Sequence, residues 1–372
     1  PAHLAVIRGW DSCSLIASRD AIVGDRLEEL RAFAEALGFD LDWFPGMRRE
    51  DADRFGRFER PLFHEAYRAV LDDPSWPALQ PLDMRPQTDD RPFPNRFVRW
   101  TRIREFLRLA GGRSALLLAP ELIAAAGLAI AVFLGIVLVV AVAAAKGHHR
   151  DEAAGSGRPG RQAPDRERGP TLPPSSLLLL ALLGAGFLLA EIGVMDAFTV
   201  LFPSPPVALS LVLGGMLAAA ALGGLCSRQL GRRALPVVLA ASAAALAVFA
   251  ALLLPGLRLL LPLREIPRAA AALALIAVPS FGIGMTFPLA MRDLGGSPGG
   301  RVWAWAVNGS ASVIASVAAA LAAAAWGISV LLYSAAAAYG LALGALAAGR
   351  ARTEPGTFTT RASPSTPPDR RQ

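Results

Sequence analysis

Two acidic residues inside an apolar run are the first candidates for chemistry. Residues 188–198 read LLAEIGVMDAF and set Glu191 and Asp196 in a stretch otherwise suited to lipid. A charge at mid-membrane is costly, so each acid must meet a partner, keep its proton or lie near the interface. The two are five positions apart, about 140° around a helix. They do not share one narrow face, which argues against a carboxylate pair acting on one proton. Asp196 lies close before Phe202-Pro203 and so near the expected interface. Glu191 is deeper and is the stronger functional candidate; a structural hydrogen bond between helices is its bland alternative.

Three further stretches carry polar or backbone-altering residues. VPSFGIGMTFPLAMRDL (278–294) packs Pro279, Gly282, Gly284 and Pro288 closely together. Proline removes a backbone donor and kinks a helix, glycine lets helices approach, and broken helices line ligand sites in transporters. The stretch therefore reads as a helix break, either shaping a site or bending between packed neighbours. WAWAVNGSASVIAS (303–316) puts Asn308, Ser312 and Ser316 on one helical face, which suits interhelical hydrogen bonds. Asp89 and Asp90, in RPQTDDRPFPNRF (85–97), read as a turn or as a catalytic or ligand-binding acid pair; composition favours the turn. No His/Cys pattern has metal-ligand spacing: His148-His149 falls in a polar loop, and Cys13 and Cys226 lie far apart.

These residues are positioned by two kinds of chain. Of the 372 residues, 53% are hydrophobic, and the mean hydropathy is +0.43, too apolar for an ordinary soluble domain. The first hundred residues nevertheless look soluble. SLIASR (14–19) and FDLDWF (39–44) read as strands, DRLEELRAFAEALG (25–38) as a helix ended by Gly38, and a second helix starts near Pro61. Strand–helix–strand–helix predicts an α/β sheet. With only about two such units its edges call for partners, and since residue 1 is proline, an N-terminal half is expected to be missing. No G-x-G-x-x-G turn is visible.

Past residue 114 the chain turns apolar. Runs of membrane-spanning length fall at about 115–145, 177–202, 206–227, 235–257, 268–291, 303–326 and 328–349. The division is therefore 1–100 soluble, 101–113 basic and juxtamembrane, 114–146 a first apolar segment, 147–175 a flexible charged linker, 176–350 a six-helix membrane bundle and 351–372 a disordered tail. The fold class predicted is an α-helical polytopic membrane bundle of six or seven helices, preceded by part of an α/β domain. Close helix packing is expected at Gly214, Gly215, Gly223 and Gly224.

The net charge of +7 comes mostly from arginines that flank apolar spans; they form no aromatic-interleaved patch, so the partner is a lipid bilayer and not nucleic acid. With 147–175 on the cytoplasmic side, Arg228, Arg232, Arg233, Arg292, Arg301 and the tail all face inside. Arg258, Arg264 and Arg268 are the exception, and the six arginines of RFVRWTRIREFLRLAGGR (96–113) also ask for the inside. Either 115–145 crosses and puts that flank outside, or it dips without crossing.

Taken together, the stretches resemble a family. LEELRAFAEALGFDLDWFPG, then QTDDRPFPNRF (like a family ATDDRPFF segment), LGAGFLLAEIGVMDAF (like LGFMLVEIALIQ-K/R-F), GIGMTFPLAMRDL and WAWAVNGSASVIASVAAALA follow the order found in bacterial integral-membrane proteins related to spermidine synthase. The resemblance covers most of residues 14–349. It implies the C-terminal remnant of a Rossmann-type, aminopropyltransferase- or methyltransferase-like domain joined to a multi-pass bundle in a bacterial inner membrane. It places Glu191 on the family's intramembrane glutamate and Asp196 where glutamine is usual. The glycine-rich cofactor loop and acidic catalytic residue of the family have no counterpart here, so no cofactor is expected to bind this chain. S-adenosylmethionine or its decarboxylated form would belong to the missing N-terminal half, and a small amine or lipid-like molecule would be the substrate. The alternatives are a transporter with a site around Gly282–Pro288 and Glu191, and a membrane scaffold without chemistry.

Overall fold

The computed structural model describes residues 2–9, 12–56, 59–93, 96–109, 121–132, 134–135, 172–231, 233–294 and 298–353. The expected linker, apart from its last residues, His148-His149 and the tail beyond residue 353 lie outside these. The chain forms two compact units: residues 1–86 with 97–112, and residues 87–96 with 113–372. The composition boundary near residue 100 thus differs from the packing boundary, because ten residues of the polar stretch pack with the apolar helices.

The first unit holds a three-stranded sheet in the order β2-β1-β3. β1 (Leu4–Arg8) and β2 (Cys13–Ala17) form a hairpin, and β3 (Asp40–Trp43) returns antiparallel on the other side of β1. The sequence reading has no strand at β1. α1 (Asp25–Leu37) ends as expected, with Gly38 at φ +67° in the left-handed conformation that a side chain disfavours. α2 (Leu62–Asp72), the short α3 (Trp76–Leu79) and α4 (Ile103–Leu109) follow. Ala5, Ile22, Phe44 and Met47 make a small core. Every strand pair is antiparallel, and the parallel crossover that defines a Rossmann-type sheet is not shown.

The second unit is a helical membrane bundle. α5 (Glu121–Val132) is a short apolar helix. Six longer ones follow: α6 (Pro174–Leu201), α7 (Pro205–Cys226), α8 (Ala234–Leu260), α9 (Glu265–Leu294), α10 (Pro298–Trp326) and α11 (Ile328–Thr353). Each of the six is long and apolar enough to cross a membrane, and their lipid-exposed leucines and valines are the surface a bilayer would cover. α6 packs on α10 and α11, α9 on α7 and α8, and α11 also on α8.

Glycines set how near the helices come. A Cβ at Gly223 would strike the Phe281 carbonyl, and one at Gly284 the backbone of Ala220, so α7 and α9 touch main chain to main chain. Gly215 faces Leu273 and Gly224 approaches Gly284, whereas Gly214 meets open space and takes no part in close packing.

α9 corrects the expected helix break. The chain stays helical from Glu265 to Leu294 straight through Pro279 and Pro288. Packing along both α7 and α8 holds the helix through the two missing donors. Hydroxyls serve the same helix, with Ser280 donating to the Ile276 carbonyl and Thr286 to that of Ile283.

Candidate functional site

A cavity of about 320 Å³ lies between the helices of the bundle and opens to its surface at Ala221 and Pro288. α6 contributes Leu183, Gly184 and Phe187; α9 contributes Gly284, Thr286 and Pro288; α10 contributes Asn308 and Ser312; α11 contributes Tyr339; and α7 contributes Ala220 and Ala221. Gly184 sits directly against the Asn308 carbonyl, which brings α6 and α10 together beside the cavity. Asn308 donates through Nδ2 to the Leu180 carbonyl at 3.0 Å, and Ser312 donates to the Asn308 carbonyl at 2.9 Å. These two bonds fix the polar wall, and most of the remaining lining is apolar. Such a site suits a small amphipathic molecule: one or two polar groups to orient it, hydrocarbon to hold it.

Of the residues singled out from sequence, Gly284, Pro288, Asn308 and Ser312 therefore come together. Pro279 and Gly282 do not line the cavity; Gly282 faces Ser242 on α8, whose buried hydroxyl has no hydrogen-bond partner. Ser316 donates to the Val313 carbonyl and lies outside the lining. Glu191 shares the helical stripe of Gly184 and Phe187, about 6 Å beyond Phe187 along the axis, but is not part of the lining. It is only 8% exposed, and its carboxylate has no hydrogen bond or ion pair among the described residues. Glu191→Gln removes a charge that nothing in the described bundle compensates. The melting temperature in detergent is therefore expected to stay level or rise; a marked fall would reveal a partner for the carboxylate.

Asp89 and Asp90 are a turn and more than a turn. The Arg91 amide donates to the Thr88 carbonyl, which closes the turn. Asp90 then caps α11, far away in sequence: its carbonyl accepts the Ile328 amide and its Oδ1 the Ser329 amide, both at 2.7 Å. Gly327, at φ +100°, leaves room for it, since a Cβ there would strike the Asp90 carboxylate. Asp89 pairs with Arg258 of α8 at 3.0 Å. Phe93 packs into the apolar core of the bundle. Arg96 lies 3.8 Å from the buried Glu121. The described residues of 87–96 thus clamp the end of α8 and the start of α11. Neither acid has the geometry of a catalytic pair, because each is already committed to a different helix.

The clamp sits at the end of the bundle holding Arg258, Arg264 and Arg268, opposite the start of α6. Two of those arginines have structural work: Arg258 holds Asp89, and Arg268 donates to the carbonyls of Leu201, Leu261 and Leu263. Their presence at the arginine-poor end is explained by these bonds without reference to membrane side.

The first unit holds a second polar cluster, which sequence reasoning missed. Arg8 on β1 donates from Nε to Asp42 at 2.9 Å and from Nη2 to Asp53 at 2.7 Å and Asp40 at 3.3 Å. Asp40 also accepts the Phe55 and Gly56 amides. Burial pushes the Asp42 carboxyl above the usual range, and Arg8 offsets only part of this. Burial opposes the Arg8 charge, but the three carboxylates outweigh it and keep the guanidinium protonated. The only signal in sequence was the i, i+2 spacing of Asp40 and Asp42, which puts both on one face of a strand. Three carboxylates at one point resemble a metal site, yet here they surround a guanidinium, and no metal-competent group occurs among the described residues.

In comparisons with known proteins the chain matches no family model, no curated protein and no solved structure.

Proposed function

We propose that the chain is the membrane part of a spermidine synthase-like protein. On this reading its helices anchor a Rossmann-type, S-adenosylmethionine-binding domain in a bacterial inner membrane, and the cavity between them takes a small amine or lipid-like substrate. The observation that supports it most is convergence. LGAGFLLAEIGVMDAF, GIGMTFPLAMRDL and WAWAVNGSASVIASVAAALA each supply walls of the same cavity. A fourth stretch, QTDDRPFPNRF, is the clamp on the helix ends. Stretches alike by chance have no reason to meet in this way. No residue here is assigned to catalysis or to cofactor binding.

A transporter is the second reading, favoured by Gly284, Pro288 and Asn308 lining one cavity between the helices. Labelled putrescine added to proteoliposomes of the full chain separates the two. The anchor reading expects saturable binding without flux, lost in Ala221→Phe, which blocks the cavity from a lipid-exposed position. Saturable flux would favour the transporter, and the absence of both binding and flux would leave only a scaffold.

A further inference from the structure

The arginines of RFVRWTRIREFLRLAGGR (96–113) divide into two kinds; Arg113 lies outside the described residues. Three have work inside the protein. Arg96 lies beside Glu121. Arg99 donates to the carbonyls of Pro77 and Ala78, and Arg102 to that of Leu79 and to the Glu105 carboxylate. These two hold the last turn of α3, whose carbonyls have no partner in their own helix. Arg104 and Arg108 are different. Both are exposed, and neither makes a hydrogen bond, ion pair or ring contact with any described residue.

The two free arginines share a face with two apolar residues. A single turn, Trp100–Arg102, runs straight into α4. Trp100, Arg104, Leu107 and Arg108 fall at i, i+4, i+7 and i+8 of that run, which is one side of a helix. Trp100 is 38% and Leu107 40% exposed, whereas Phe106 is buried. An exposed leucine or tryptophan is ordinary when it stands singly. Here both alternate with cations that nothing neutralises. That mixture belongs to a helix lying in a membrane interface: apolar side chains for the acyl boundary, an indole for the headgroup layer and cations for lipid phosphates. The chain also keeps a bilayer within reach. α4 ends at Leu109 and the apolar helix α5 begins at Glu121, and the stretch between them spans at most about 40 Å when fully extended. Six helices of membrane-crossing length follow in the same chain.

We propose that the outward face of Trp100–Arg108 lies on an anionic phospholipid surface. Arg104 and Arg108 would donate charge-assisted hydrogen bonds to headgroup phosphates, and Trp100 and Leu107 would enter the boundary beneath them. A face this short binds a free vesicle weakly, but the membrane helices make the encounter intramolecular, so a weak contact suffices. The spanning helices ask only for hydrocarbon, whereas this face distinguishes lipid charge. A nucleic acid would call for cations along a longer track; this face offers two.

The test uses the full chain in a Cys13→Ser, Cys226→Ser background, reconstituted in phosphatidylcholine vesicles with or without phosphatidylglycerol. Leu107→Cys carries a nitrobenzoxadiazole label, and Glu28→Cys, exposed on α1, carries the same label as a control. A lipid spin-labelled at its headgroup quenches a label in the interface and spares one in water. With phosphatidylglycerol present, the label at 107 is expected to be quenched and blue-shifted and the label at 28 to be unaffected. Arg104→Gln and Arg108→Gln should each lower the ratio of docked to free label on the order of fivefold, the contribution of one cation near an anionic surface. Arg104→Lys and Arg108→Lys should keep it. Because neither arginine has a partner among the described residues, the glutamine variants should melt like the parent. Quenching at 107 that is equal in both lipids, absent with phosphatidylglycerol, matched at 28 or untouched by both glutamine variants would overturn the proposal.

Discussion

Arg8→Met will unfold the sheet of the first unit locally, at a cost of about 3–5 kcal/mol, the range for removing one partner of a buried charge network. Arg8 is the cation shared by Asp40, Asp42 and Asp53, and its side chain is 12% exposed. Without it three carboxylates face one another with little water. Hydrogen exchange should report the loss at the Phe55 and Gly56 amides, which Asp40 holds, while amides inside α6 keep their protection. The pH dependence has a fixed sign. Asp42 already titrates above its ordinary value because of burial. A raised folded pKa favours folding while the group is protonated, and that contribution disappears as pH rises through the folded value. Removing Arg8 takes away the partner that lowers Asp42 and so raises that carboxyl further, so the deficit should be greatest at neutral pH and shrink on acidification into the carboxylate range. Arg8→Lys, which keeps the charge but not the fork of donors, should fall between. A deficit independent of pH would mean that packing, and not charge, is what Arg8 supplies.

Asp90→Ala will free the start of α11 and release the clamp. Losing a helix cap costs about 1–2 kcal/mol, here joined to the docking of ten residues. The Ile328 and Ser329 amides, both bonded to Asp90, should exchange faster. Asp90→Asn keeps an acceptor in the same place and should behave nearly as the native residue, because asparagine caps as well as aspartate does. If asparagine proved as damaging as alanine, the charge and not the cap would be the operative feature.

The parts of this structure that were readable in sequence are local. Apolar runs of about twenty residues become helices because a helix satisfies every backbone group within one segment in hydrocarbon, and all six expected runs past residue 176 are helices within a few residues of the expected ends. Gly38 marks a helix end through its own φ, and the Thr88–Arg91 turn closes on itself. What was not readable depends on partners distant along the chain. Asp90 caps a helix 239 residues on in sequence. Arg8 meets Asp42 only because β3 returns beside β1. The antiparallel sheet is hidden for a related reason: strand–helix–strand reads alike whether the second strand returns parallel or antiparallel, and the strand that pairs with both, β1, lies outside that pattern. In α9 the prolines signalled a break that flanking helices prevent. For the cavity, residue types are legible one helix at a time and their meeting is not: Asn308 lines the wall, and Glu191, equally polar in the sequence, lies a turn beyond it.

The assembly of the second unit depends most on Asp89 and Asp90 being locked onto α8 and α11. Cysteines at positions 89 and 258, which replace the paired Asp89 and Arg258, test this directly in a Cys13→Ser, Cys226→Ser background that removes both free native thiols. Membranes holding the full chain would be treated with a short bifunctional methanethiosulfonate, and intramolecular cross-linking read by mass spectrometry of the digested chain. The prediction is efficient linkage of 89 to 258 and none of 89 to a cysteine at 233, at the opposite end. Equal linkage to both ends, or to neither, would contradict the clamp and the assembly built on it.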